Sequence, residues 1–359
     1  TAVGSTALTA TTTGAENTAV GQNSLASNTT GSSNTALGQA ALDANTTASN
    51  NTAVGKSALG ANTTATQNTA IGASAGGSIT TAPFNTAVGY NALATNTTGD
   101  GRNTAIGRHA LTDLTTGYYN TAVGMNAGES VTTGLYNTLI GGLAGDAMTT
   151  PSYNTAVGYA ALSSATTGAE NTAVGYAALV SNTTGAQNTA VGKNALDGNT
   201  IGSQNTAVGE GALEASTTAT HLTAIGYAAL DSVTTGSGNT GLGRIAGTSI
   251  TTGANNTLVG SSTAGGLVTG IGSTIVGHAC NVSAIDASYA MALGYNLTCE
   301  ADYTTLGYNA VDIRAQHGVA TWATVSDQRY KKDIVDSTAG LAFVNALRPR
   351  TFKYKTLGE

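Results

Sequence analysis

Small aliphatic and polar residues alternate in a short word that recurs along most of the chain: Asn-Thr-(Ala/Leu/Gly)-(Val/Ile/Leu)-Gly. Its Asn begins at Asn17, Asn34 and Asn51 and is still present at Asn239 and Asn256, with a step of 17 residues apart from one of 18 between Asn85 and Asn103. Leu222 replaces one Asn and the frame continues. The closing glycines run from Gly4 to Gly89 and from Gly107 to Gly294, which makes eighteen repeats, with a shorter, irregular unit ending at Gly307. Period-two alternation predicts a short strand over each Thr-Ala-Val-Gly, followed by x-x-Ala-Leu and a turn such as Asn28-Thr29-Thr30-Gly31. Turn glycines such as Gly14, Gly31, Gly168 and Gly185 are expected at positive φ. The one extra residue lies near Gly99-Asp100-Gly101-Arg102 and marks that corner as a surface turn, where added length is cheap.

Seventeen residues cannot enclose a core alone, but stacked coils can. The expected architecture is therefore all-β: a repetitive parallel β-solenoid, or β-roll, of ~17-residue coils, eighteen of which at a rise of ~4.8 Å would extend roughly 85 Å. Alternation places Thr18 and Val20 on one face of the strand and Ala19 and Gly21 on the other. Val is assigned to the interior, which leaves an Ala/Gly face flat enough for another backbone to approach. Recurrent Thr and Asn side chains are expected to form ladders that satisfy buried polar groups.

A second pattern supports stacking. Eleven repeats carry Leu four residues after the framing glycine, among them Leu8, Leu25, Leu42 and Leu230. Four carry Gly there instead (Gly76, Gly128, Gly145, Gly247), and these have an apolar residue three positions later: Ile79, Val131, Met148 and Ile250. Ala264 with Leu267 behaves similarly. Core volume per repeat is thereby held nearly constant.

Composition narrows the class. Charged residues make up 9% of the chain, against a usual ~25%, and there are 48 glycines but three prolines. An enzyme with one large core does not fit this, and neither does a charge-rich disordered chain. The net charge of −6 is uneven: residues 326–359 hold seven basic and four acidic groups, and the remainder is acidic. An acidic body gives no electrostatic reason to bind nucleic acid. No apolar run is long enough for a membrane-spanning helix, so no membrane insertion is expected.

Candidate chemistry is sparse. Cys280 and Cys299 read as buried thiols, and His109, His221, His278 and His317 are scattered surface histidines without four-ligand spacing, so neither metal nor cofactor is expected. Asp43, Asp197 and Asp231 sit singly at similar repeat positions and read as solubilising charges. Tyrosines follow six framing glycines (Tyr90, Tyr159, Tyr176, Tyr227, Tyr295, Tyr308) and suit intersubunit packing better than glycan stacking. No Ser/His/Asp set or phosphate loop occurs in the repeats; Gly-x-Gly occurrences such as Gly241-Leu242-Gly243 are repeat glycines.

The repeat words over residues 1–308 resemble the head repeats of trimeric adhesins, in which a Ser-Val-Ala-Ile-Gly-like strand winds each chain into a left-handed parallel β-roll and three rolls pack around an axis. They are closer still to the Asn-Thr-Ala-Val-Gly-Tyr repeats of phage tail-fibre-like proteins. After a transition over 309–325, the segment Ser326-Asp327-Gln328-Arg329-Tyr330-Lys331-Lys332-Asp333-Ile334 is similar to the start of the intramolecular chaperone domain that ends many phage tailspikes and fibres, and Leu347-Arg348-Pro349-Arg350-Thr351-Phe352-Lys353-Tyr354 fits that family's following stretch. The resemblance implies a short α/β segment that trimerises, guides fibre folding and then cuts itself off. By position, Ser326 would be the nucleophile and Lys331 the general base for cleavage between Val325 and Ser326.

The function expected from these features is a structural and adhesive viral tail fibre. It would be homotrimeric and extracellular on the virion, attached to the phage tail or baseplate through a region before Thr1, and would meet a host-surface receptor of glycan type. Any enzymatic activity would be confined to one turnover of Ser-Lys autoproteolysis. Two alternatives remain. A bacterial trimeric surface adhesin shares the repeats but needs an outer-membrane anchor. An ice-binding solenoid needs Thr on a flat exposed face, whereas these Thr share a face with the Val assigned to the interior.

Overall fold

The computed structural model describes residues 1–309, 311–319 and 323–324. The chain divides into two compact units, Thr1–Ala323 and Thr324–Glu359. The first is a parallel β-solenoid. The α/β segment expected after residue 325, with Ser326 and Lys331, lies outside the described residues.

Each coil contributes one three-residue strand, from Thr18–Val20 to Thr257–Val259. Successive strands pair in parallel without slippage, so Thr18 lies beside Thr35, Ala19 beside Ala36 and Val20 beside Leu37. The 18-residue step leaves this register intact: Thr86 still pairs with Thr104. The extra residue is absorbed at an exposed corner, Thr97–Asp100, as the sequence suggested.

The interior is the reverse of the alternation assigned from sequence. The strand Ala is fully buried (Ala19, Ala36, Ala53), while the aliphatic residue beside it faces outward, with Leu37 48% and Ile71 42% exposed. The coil is too narrow for two bulky rows. Leu25, Leu42 and their equivalents already fill it at 0% exposure, and only a methyl group fits beneath the strand. The exceptions confirm the volume limit. Leu139 replaces the strand Ala where the neighbouring Leu positions are Gly128 and Gly145, and a Cβ on Gly128 would lie 2.6 Å from Leu139 Cδ1. Leu258 likewise fills the space beside Gly247 and Ala264. Ile79, Val131, Met148 and Ile250 are buried, as the Gly/apolar exchange predicted. Compensation thus runs through three positions of the coil, and the strand position is the one that the sequence pattern did not reveal.

Backbone conformation also differs from expectation. The framing glycines, not the turn glycines, carry positive φ: 132° at Gly21, where an added Cβ would also lie 2.5 Å from the Gly38 carbonyl oxygen. Pro151 stands in the same coil position as Gly14, Gly31, Gly168 and Gly185, which excludes positive φ in that row. There glycine serves close approach: a Cβ on Gly31 would press on the Ala48 carbonyl oxygen of the next coil. Left-handed residues elsewhere include Leu25 (φ 51°), strained for a branched side chain and tolerated because burial fixes it.

Two buried asparagine ladders hold the coils together. In one, Asn17 Oδ1 accepts the Asn34 backbone N–H at 3.0 Å, and Asn34 Nδ2 donates to the Ala48 carbonyl at 2.8 Å. In the other, Asn45 Nδ2 donates to Asn28 Oδ1 at 2.8 Å and to the Ala48 carbonyl at 3.1 Å. Beside this second ladder, Thr29 Oγ1 donates to the Thr46 carbonyl at 3.0 Å, and the pattern repeats down the stack. Each such bond contributes about 1 kcal/mol net, but leaving its buried partner unpaired costs ~1–3 kcal/mol.

The stack ends differently from its body. Strands lengthen at Thr274–His278, Met291–Tyr295 and Tyr303–Tyr308, and Val311–Gln316 then pairs antiparallel with Tyr303–Tyr308. In that strand the Asp312 carboxylate is buried against Arg314, Nη2 to Oδ2 3.0 Å. Cys280 and Cys299 are buried free thiols, as read from sequence, and burial pushes the Cys299 thiol up from its ordinary value.

The volume exchange gives a direct prediction. Gly76→Leu alone should cost ~1–3 kcal/mol, because its side chain collides with Leu59 and Ile79. Combining it with Ile79→Asn should recover most of that loss, since the new amide also supplies a donor for Asn62 Oδ1, which is buried without a partner. A double-mutant cycle from denaturant unfolding measures the coupling; additive costs would contradict this account.

Candidate functional site

The repeat turns sequence position into straight rows of side chains on the solenoid surface, and four of these rows carry chemistry. The first is the strand face itself. Its outward positions are Thr on one side and Val, Ile or Leu on the other, from Thr18–Val20 to Thr257–Val259, with no charged residue among them. Since the aliphatic residues point outward, the Thr beside them also lie on the outer face, in register and half-buried in most coils, so the Thr do not share a face with the interior as the sequence alternation implied.

The second row holds the tyrosines that follow the framing glycines. They are exposed and partly stacked: Tyr159 on Tyr176 at 5.8 Å between centroids, and Tyr295 between His278 (5.2 Å) and Tyr308 (5.1 Å). Tyr90 packs against His109 at 5.5 Å. His109 departs from the surface reading: it is half-buried, with Nδ1 3.3 Å from Glu129 Oε1.

The third row escaped the sequence analysis. It occupies the left-handed residue just before each framing Asn, where Phe84, Arg102, Tyr119, Tyr136 and Tyr153 fall on consecutive coils. Arg102 Cζ lies 5.1 Å from the Phe84 centroid and 5.4 Å from that of Tyr119. Tyr119 and Tyr136 stack at 5.1 Å and 8°, and Tyr136 and Tyr153 at 5.3 Å and 5°. Loss of solvation and the neighbouring phenols Tyr118, Tyr119 and Tyr153 raise the Tyr136 pKa. Aromatic residues at 17-residue spacing, Tyr119, Tyr136 and Tyr153, are the signal of this row in the sequence.

The fourth row is acidic. Asp43 is alone, but Asp197, Glu214 and Asp231 occupy one position on consecutive coils, so the last two of the three aspartates do not sit singly. Glu214 and Asp231 border a shallow depression shared with Lys193, Glu210 and Tyr227, in which Lys193 Nζ pairs with Glu210 Oε1 at 3.1 Å. Burial raises the pKa of Asp197, Asp231 and Asp146; Glu214 adds to the shift at Asp197, and Glu129 adds at Asp146. Among the described residues, no group of three or more His, Cys, Asp or Glu is arranged to hold a metal ion.

Residues 326–359 match the family described as chaperone of endosialidase. No curated protein and no solved structure matches the chain.

The acidic row predicts a pH dependence of stability. A carboxyl whose folded pKa is raised favours the protonated native state. Its ionised form therefore subtracts stability above that raised pKa, and the penalty fades as pH falls towards the ordinary value of 3.8. Asp197→Asn should stabilise the solenoid slightly at pH 7, by about 0.5 kcal/mol given solvent screening, and should have no effect near pH 3. Thermal unfolding of both proteins at the two pH values checks this; a loss of stability at pH 7 would contradict it.

Proposed function

We propose that the chain is the shaft of a homotrimeric, phage tail-fibre-like protein, whose surface meets a host receptor and whose C-terminal segment assists assembly. The observation that carries this reading is the charge-free strand face. A strip ~75 Å long and ~10 Å wide covers about 750 Å² per copy, which a trimer divides between two neighbours, about 375 Å² against each. Charge-depleted surface with a continuous aliphatic row has the composition of an interface core. Whatever covers it must be as long as the solenoid and repeat with the same rise, and a second copy of the chain meets both conditions. The match of residues 326–359 to a chaperone family supports the same reading from the other end of the chain. In this proposal Lys331 takes the proton from Ser326 Oγ, the oxygen attacks the Val325 carbonyl, the Val325–Ser326 amide bond breaks as its nitrogen takes that proton back from Lys331, and water hydrolyses the resulting ester to free the Val325 carboxylate and the Ser326 hydroxyl.

The outward Thr row also favours a second reading, an ice-binding face. Thermal hysteresis of the purified protein, with the strand face free, would support that reading instead.

Light scattering of the full chain should give a trimer. Ile71→Glu, Ile106→Glu and Ile140→Glu together should reduce it to monomer with its β-structure intact by circular dichroism. Thr64→Glu, Thr116→Glu and Thr133→Glu, on an equally exposed turn row, should leave the trimer unchanged. A monomeric wild-type protein would overturn the fibre reading. Mass spectrometry of the expressed full chain should show a product ending at Val325, abolished by Ser326→Ala; an intact product from both would remove the Ser326/Lys331 dyad.

A further inference from the structure

The body of the solenoid and its last rungs differ in what they turn outward. Each three-residue strand of the body shows one aliphatic side chain on its outer face. Beyond Val259 the strands lengthen, and Thr274–His278, Met291–Tyr295, Tyr303–Tyr308 and Val311–Gln316 lie side by side with three outward columns in register. Val276, Leu293, Leu306 and Ile313 continue the aliphatic column of the body without a break. Tyr295, Tyr308 and Val311 run beside it. No Asp, Glu, Lys or Arg stands on this outer face.

The last of these strands is inside out. Val311 and Ile313 face outward, while Asp312 and Arg314 face the solenoid's own interior, opposite Gly307 and the buried Thr305. Val311 is 65% exposed, Tyr308 beside it 60% and Leu293 56%, whereas Asp312 is buried. Asp312 Oδ1 and Arg314 Nε are also buried without a partner. A shift of one residue would turn the aliphatics inward and return both charges to water. The chain does the opposite. It leaves large apolar side chains in water and takes an ion pair out of it, and each of these is unfavourable alone. The arrangement becomes favourable when apolar surface covers the outer face.

We infer that this patch is a clamp through which copies of the chain hold one another, its occupant being the same patch of a second copy. The aliphatic column runs unbroken from the strand face onto the patch, so copies that meet along the body are carried onto it in register. Area points the same way. Five residues by four strands span about 17 Å by 19 Å, or about 320 Å² per copy. The strip along the body buries only about 750 Å² in total between two copies of a trimer, short of the ~1,000 Å² that a specific interface clears, and the patch raises that total to about 1,100 Å². Its aromatic edge is already ordered, with Tyr295 held between His278 at 5.2 Å and Tyr308 at 5.1 Å, so little side-chain freedom is lost on association. The inference rests on the reading of the chain as a homotrimer and names the segment that holds the trimer together.

Light scattering of the full chain over a dilution series tests it, together with cross-linking. Ile313→Glu should dissociate to monomer at concentrations where the wild type and the single body variant Ile106→Glu remain trimeric. Ile313→Cys, a milder change that keeps the strand, should give covalent dimers on a denaturing gel after treatment with a short bismaleimide. Wild type, whose Cys280 and Cys299 are buried, and Thr116→Cys on the exposed turn row should give none. The inference is overturned if Ile313→Glu stays as trimeric as the wild type, or if Ile313→Cys gives no covalent dimer, which would mean that something other than a second copy covers the patch. A wild-type monomer removes the fibre reading and the clamp together. A wild-type trimer without the Ile313→Cys cross-link removes the clamp alone.

Discussion

A coil of seventeen residues has almost no inside, and this scarcity of volume governs the rest of the structure. One row of leucines and two of alanine methyls, such as Ala36 and Ala41, fill the space, so the remaining polar backbone must be satisfied along the stack. Asparagine does this because its amide both donates and accepts, linking a side chain to the coil on either side. No coil is complete without its neighbours, and the asparagines are as much part of the core as the leucines.

The same scarcity explains which parts of the sequence were legible. Period, coil length and parallel stacking could be read directly, because a strict repeat admits few alternatives. The exchange of Leu for Gly with Ile79 or Met148 was legible because both positions lie in one stretch of a single repeat. The inside and outside of the strand were not. Thr-Ala-Val fits either orientation by alternation, and hydrophobicity favours Val; only the volume already taken by Leu25 and its equivalents decides for Ala. The turn glycines were misread for a similar reason, since a tight approach to the next coil leaves no signature that separates it from a left-handed turn.

The surface rows follow from geometry that a linear reading does not display. Asp197, Glu214 and Asp231 look isolated at seventeen-residue spacing yet become neighbours on one face. Phe84, Arg102 and Tyr153 share a row only when the extra residue at the Gly99–Arg102 corner is counted. Ser326 and Lys331 belong to another kind of evidence: their place rests on family likeness of the segment 326–359.

Uniform coils bring a hazard of their own. Where every rung offers the same asparagine and the same leucine, a growing stack that skipped one repeat and looped it out would find nearly the same partners. Only the irregular coils oppose such an error. Leu139 seated between Gly128 and Gly145 would collide with a leucine if it were displaced by one coil. These departures from the consensus act as registration marks, fixing which coil lies on which, and a solenoid rebuilt from identical consensus coils would lose that count while keeping its core.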